Sequence, residues 1–224
     1  MKMNIKAVAL DIDGTITDPT RKLCLSAAEA IRKVEKQDIP VIIVTGNILC
    51  FTMATSVLLG ASGGLVAENG GVVISRDEVK VLGDYEKSKL AFDYLKSKED
   101  VEKVGFSDLR VSEIALRRTV PVNQVKNTLK DFDIEVYDTQ FALHLTDPQV
   151  NKGSSLELIT GELGIKTRDI MAVGDSENDI DFLKAAGLKV AVANGDNELK
   201  KMADYITTKK YGDGVKEAIE RFIL

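Results

Sequence analysis

The chain has 224 residues, 44% of them apolar, which suffices for one substantial core or for a core plus a smaller satellite domain. With 30 Lys and Arg against 35 Asp and Glu the formal charge is −5, and the signs are mixed along the chain, which excludes a basic nucleic-acid stripe and an acidic tail. No apolar run approaches the length of a bilayer span, and MKMNIKAVAL enters a strand without a signal-peptide layout, so a cytoplasmic protein with neither membrane nor nucleic-acid partners is expected.

In chain order, short runs rich in Val, Ile and Ala recur at 5–12 (IKAVALDI), 39–46 (IPVIIVTG), 63–70 (GGLVAENG), 170–175 (IMAVGD), 189–194 (KVAVAN) and 204–208 (DYITT). Unbroken apolar runs bounded by Gly, Asp or Asn are the pattern of parallel strands covered on both faces. Helical patterns lie between them. The segment 26–37 places Ala27, Ala30, Ile31 and Val34 on one face, with Ser26 and Glu29 spaced as a capping box. The segment 176–187 opens on Ser176 and stops at Gly187. Alternating strand and helix predict a doubly wound, Rossmann-like α/β parallel sheet. Cys24 and Cys50 sit in apolar segments without a CxxC or metal-ligand spacing and are read as buried free thiols.

Between about Asp84 and Val150 the rhythm changes. A helix (YEKSKLAFDYLKS), a strand (SEIALRRTV), a helix opened by Pro121 and two short strands, IEVYD and FALHLT, joined at Thr139-Gln140, predict a small α+β domain inserted into the larger one. The expected division is a split core of 1–82 and 152–224 around an insert at 83–151.

Ligands of open parallel sheets gather outside the carboxyl ends of the strands. Asp11, Thr45 with Gly46, Glu68 with Asn69, and Asp175 all fall there. Carboxylates so close together repel one another and take up protons unless a cation lies among them, and an all-oxygen set open to water suits Mg²⁺ better than Zn²⁺. An EF-hand is excluded for D-x-D-G, whose glycine is fourth rather than sixth and whose twelfth position is Lys22; Ile180 excludes it for GDSENDID.

DIDGT, VTGN, NKG and GDSENDIDF, in that order, resemble the four motifs of the haloacid dehalogenase superfamily of phosphatases. The resemblance covers both core segments, and the insert's position and pattern resemble the class II, subclass B cap. It implies a Mg²⁺-dependent phosphate monoester hydrolase. Phosphate esters demand a nucleophile, charge screening and a proton for the leaving alkoxide. Asp11 is then the expected nucleophile through an aspartyl-phosphate, and Asp13 the general acid and base. Asp11, the main-chain carbonyl of Asp13, and Asp175 are the expected Mg²⁺ ligands. Asp179 joins them or stands behind them with Glu177, orienting waters or the lysine. Thr45, the amide of Gly46, Asn178 and Lys152 are expected to bind the phosphate oxygens.

In the cap, Arg110, Arg117, Arg118 and His144 are candidate substrate contacts, although adjacent arginines in a strand face opposite ways. A short cap implies a small pocket, and its cations suit a short phosphorylated acid: 2-phosphoglycolate first, a sugar phosphate second. A phosphomutase on the same core and a phospho-aspartate receiver module are the rival readings. The partner is a small phosphorylated metabolite, and the chain is expected to act as a monomer or homodimer.

Overall fold

A computed structural model describes residues 4–76, 78–139 and 141–224. Eleven strands are found among these residues. β1 (Ala7–Leu10), β2 (Val41–Val44), β3 (Leu65–Ala67), β4 (Val72–Ser75), β5 (Glu78–Val81), β9 (Ile170–Gly174), β10 (Leu188–Ala191) and β11 (Tyr205–Ile206) form one eight-stranded sheet. Its order is β11-β10-β9-β1-β2-β3-β4-β5. The strands from β11 to β3 are parallel, and β4 and β5 close the edge antiparallel.

Each central strand is buried on both faces, as its continuous apolar run requires. Side-chain alternation assigns the strand residues to two cores. Val8, Leu10, Ile43 and Val173 face α1 (Leu25–Glu35), α2 (Leu49–Leu59) and α8 (Tyr211–Phe222). Ala7, Ala9, Ile42, Val44 and Ala172 face α5 (Lys152–Leu163), α6 (Ile180–Lys184) and α7 (Asn197–Met202). β1 lies between β9 and β2, so the loops after β1 and β9 leave the sheet side by side at the point where the strand order reverses.

The insert has its own sheet, β6 (Ile114–Leu116), β8 (Leu143–Thr146) and β7 (Glu135–Asp138), in the order β6-β8-β7 and antiparallel throughout. One face packs on α3 (Tyr85–Lys96) and α4 (Val122–Thr128) through Ala91, Leu95, Val125, Ile114, Leu116, Val136, Leu143 and Leu145. The opposite face carries Glu113, Ala115, Tyr137 and His144, aligned by the cross-strand pairs Ala115↔His144 and Tyr137↔His144. Each molecule therefore has an α/β core and an inserted α+β unit.

Several expectations need correction. β4 and β5 form an antiparallel edge hairpin where the sequence reading had no element. Cys24, not Ser26, stands at the N-cap of α1, and no side chain caps it. β6 stops at Leu116, so Arg117 and Arg118 lie beyond the strand and strand alternation does not govern them. Cys50 is exposed near the start of α2, and Cys24, at the N-cap of α1, is half-buried against the core. The expected β7-β8 connection includes Gln140, which lies outside the described residues. No described helix is long and apolar enough to cross a membrane.

Candidate active site

Parallel pairing of Leu10 with Val173 brings the ends of β1 and β9 together, and the amide of Asp11 donates to the carbonyl of Val173 at 3.1 Å. Asp11 and Asp175 thus emerge next to each other. Asp179 comes from the turn Glu177–Asp179, which Ser176 caps; its Oδ2 accepts from the amides of Asp175 at 3.0 Å and Ser176 at 3.1 Å. One oxygen from each of Asp11, Asp175 and Asp179 lies within 4.8 Å of the others.

Lys152 opens α5, and Asn151 caps that helix by accepting from the amides of Gly153 and Ser154. The fixed helix start aims Lys152 inward, where Nζ donates to Asp11 Oδ1 at 2.9 Å and Asp179 Oδ1 at 2.7 Å. All four charged groups are buried.

Three carboxylates surround one ammonium. Burial raises the carboxyls of Asp11 and Asp175, and neighbouring negative charge raises them further: Asp179 acts on Asp11, and Asp11 acts on Asp175. Burial works against the charge of Lys152, but Asp11 and Asp179 outweigh it and its pKa rises. A hard cation would relieve the excess negative charge, and an all-oxygen donor set fits Mg²⁺. The loop Ile12–Ile16 makes room for this cluster at Gly14. Its φ is +82°, and a Cβ there would stand 2.2 Å from Asp175 Oδ2, so the position demands glycine twice over.

Asp13, two residues after Asp11, reaches a cavity of about 570 Å³ between the sheet ends and the insert. Thr45, Gly46, Asn178, Asp11 and Asp175 line it as well. Asn47 Nδ2 donates to Asp13 Oδ2 at 2.5 Å and to Thr45 Oγ1 at 3.0 Å. Arg21 Nε donates to Asp13 Oδ1 at 2.9 Å, and its guanidinium lies 5.1 Å from the ring centroid of Phe141 in the insert. Asn178 Nδ2 donates to Asn69 Oδ1 at 3.3 Å. Arg21 carried no signal of its own in the sequence, whereas Asn69 was marked only as the polar end of a strand. Asn47 stood in plain view within VTGN.

The structure separates the remaining candidates. Arg110 and His144 line the cavity, and both bind the buried carboxylate of Glu113, which sequence reasoning missed. Arg117 pairs with Glu102 and Arg118 with Asp138, both half exposed and outside the cavity wall. Glu177 is exposed and its amide donates to Asp196, while Lys152 donates to Asp11 and Asp179 instead. Lys152 is not a lining residue; its hydrogen bonds go to Asp11 and Asp179. The cavity is of ordinary small-molecule size, not the small one that a short insert suggested.

Family comparison agrees with this geometry. The model for haloacid dehalogenase-like hydrolases matches residues 8–106 and 87–219. The phosphoglycolate phosphatase of Methanothermobacter thermautotrophicus is 61% identical over 98% of this chain and 99% of its own length. The phosphoglycolate phosphatase of Methanobrevibacter smithii is 50% identical over 99% and 100%. Among solved structures, a Thermoplasma acidophilum protein superposes with a TM-score of 0.91 at 22% identity, covering 97% of this chain and 98% of its own. A subclass IIB sugar phosphatase superposes at 0.80 and 21% identity, with coverage of 97% and 98%. These two show a shared fold. With strand-end acids, capped lysine and inserted α+β unit in place, the chain belongs to the haloacid dehalogenase-like hydrolases and is a phosphoric monoester hydrolase.

Proposed function

We propose that the protein hydrolyses 2-phosphoglycolate through a phosphorylated Asp11, with Mg²⁺ held by Asp11, Asp175 and the main-chain carbonyl of Asp13. The observation that carries this reading is the buried group of Asp11, Asp175, Asp179 and Lys152 at the floor of a cavity that Asp13 enters. When bound, the cation screens the phosphate's charge and holds its oxygens near the carboxylates. Asp179 either adds a ligand or, through Lys152, keeps the others in place.

Lys152 fixes Oδ1 of Asp11 and leaves the other oxygen to attack phosphorus. As that bond forms, the bond to the ester oxygen breaks, and Asp13 gives the leaving oxygen its proton. The Asp13 carboxylate then takes a proton from water; the hydroxide attacks phosphorus, inorganic phosphate leaves and Asp11 is regenerated. Arg21 and Asn47 orient Asp13 through both of its oxygens. Thr45, the Gly46 amide and Asn178 line the wall where the phosphate oxygens would lie. Residues 83–151 act as the cap over the catalytic core of 1–82 and 152–224, and exclude water from the ester.

Two observations support the substrate. Relatives matching nearly the whole chain carry the name phosphoglycolate phosphatase, and the insert lines the cavity with Arg110 and His144. The test is kcat/KM with Mg²⁺ for 2-phosphoglycolate, 3-phosphoglycerate, hexose phosphates and nucleotides. A clear preference for 2-phosphoglycolate supports the reading, and a tenfold preference for a hexose phosphate or nucleotide overturns the choice of substrate. Exhaustive dialysis against EDTA should abolish turnover and added Mg²⁺ restore it.

A further inference from the structure

One buried acid, Glu113, holds both basic side chains that the insert presents to the cavity. Glu113 lies three residues after Arg110 and just before β6, on the face that carries Ala115 and His144. Its Oε1 accepts from His144 Nδ1 at 2.8 Å and from Arg110 Nη1, and its Oε2 accepts from Asn69 Nδ2 at 2.9 Å. Burial opposes its charge, but His144 and Arg110 outweigh burial and keep the carboxyl below its ordinary value. Glu113 is thus an anion with its donors supplied from three directions.

The two side chains it holds have bonding capacity left over. Arg110 gives Nη1 to Glu113 and to the carbonyl of Gly46 at 3.0 Å, while its buried Nε has no partner among the described residues and its side chain is only 7% exposed. His144 turns away from the insert's core because its neighbours Leu143 and Leu145 point into it. Glu113 occupies its Nδ1, and among the described residues its Nε2 has only Thr139 Oγ1 at 3.4 Å, which leaves Nε2 to donate to a carboxylate when the ring carries both protons. Both side chains line the cavity, and a carboxylate there would give the Arg110 guanidinium a charge-assisted partner beyond Glu113 and Gly46.

We propose that Arg110 and His144 form a subsite for the substrate's carboxylate, at the end remote from the phosphate, and that Glu113 is the positioning residue that fixes both. The proposal rests on the phosphatase reading above and deepens it. Asn178 bonds Asn69, Asn69 bonds Glu113, and Arg110 bonds the carbonyl of Gly46, so groups at the phosphate side are tied directly to the carboxylate side. The span between the two ends is therefore set by side chains in mutual contact. Such a span selects a short acid where the cavity's volume alone would not.

His144 is the single histidine of the chain, so its ring resonance is a unique reporter in the unaltered protein. In the Mg²⁺-loaded protein, 3-phosphonopropionate should shift that resonance several times further than propylphosphonate, which lacks the carboxylate. Equal shifts overturn the subsite. Kinetics then isolates Glu113: the ratio of kcat/KM for 2-phosphoglycolate over ethyl phosphate should fall about tenfold or more in Glu113→Gln and in Arg110→Met, chiefly through KM for the acid. A purely structural role would lower both esters together and leave the ratio within about twofold, which overturns the proposal. A wild-type ratio near one overturns the choice of substrate and the subsite with it. A high wild-type ratio that survives both substitutions overturns the subsite alone.

Discussion

Arg21 Nε donates to Asp13 Oδ1 at 2.9 Å, tying a left-handed residue of the loop after β1 to the acid that follows Asp11 by two positions. The same guanidinium donates to Asn47 Oδ1 at 2.8 Å and lies over Phe141. Removing it frees Asp13 without touching Asp11. Arg21→Ala should lower kcat by about tenfold to a hundredfold, less than the ~10² to 10⁴ expected for Asp13→Asn. Steady-state kinetics with 2-phosphoglycolate is the check, and an unchanged kcat would show that Arg21 does not orient the acid.

Lys152 is buried between Asp11 and Asp179, and its removal leaves two carboxylates without their shared counter-charge. Lys152→Met should destabilise the metal-free protein by about 3–5 kcal/mol in urea unfolding. Mg²⁺ should restore part of this loss, since a cation supplies the missing charge. A variant as stable as the parent without metal would contradict the charge balance.

The acid cluster also sets a pH dependence. Burial and mutual repulsion raise the carboxyls of Asp11 and Asp175 above the ordinary value of 3.8. Between that value and the raised one, the folded protein holds more protons than the unfolded chain, so their contribution to stability falls as pH rises. A cation binds only the ionised forms and reverses the trend. The rise in Tm on adding Mg²⁺ should therefore be larger at about pH 7.5 than at about pH 5. An increment that shrinks as pH rises would count against the site.

Gly46 has no room for a side chain, because a Cβ would stand 2.7 Å from Asn69 Oδ1. Asn69 is buried and joins Asn178 to Glu113, so it cannot yield without disturbing both. Gly46→Ala should lower kcat/KM by about tenfold or more and should also lower Tm, since the buried Asn69 must shift. Full activity in this variant would show that the Asn69 bridge is dispensable.

The core was legible because its signals are local. Apolar runs ending in Asp11, Thr45 and Asp175 mark buried strands and place polar groups at one rim, and the sheet brings those ends together as expected. What stayed hidden depends on tertiary approach. Arg21 reaches Asp13 only because its loop folds back over the cavity, and nothing in RKLCL foretells that turn. Glu113 reads as an ordinary polar residue ahead of a strand until the pairing of β6 with β8 sets it beside His144. In the edge hairpin, β5 is exposed on most of its length and lacks the apolar run that marked the others, whereas β4, VVIS, carries such a run and was legible.

The most direct test of the whole account is where the phosphoryl group goes. Asp13→Asn should slow attack of water on the phospho-enzyme, while p-nitrophenyl phosphate, whose leaving group departs without a proton, should still form it. The covalent species should therefore accumulate when this variant is mixed with that ester and Mg²⁺ and quenched in acid within a single turnover. Peptide mass spectrometry should then find the mass of one phosphoryl group on the peptide carrying Asp11, and none when Asp11→Asn is added to the variant. A phosphoryl group on any other residue, or turnover of substrate by Asp11→Asn at a rate near that of the parent, would contradict the assignment of Asp11 as nucleophile.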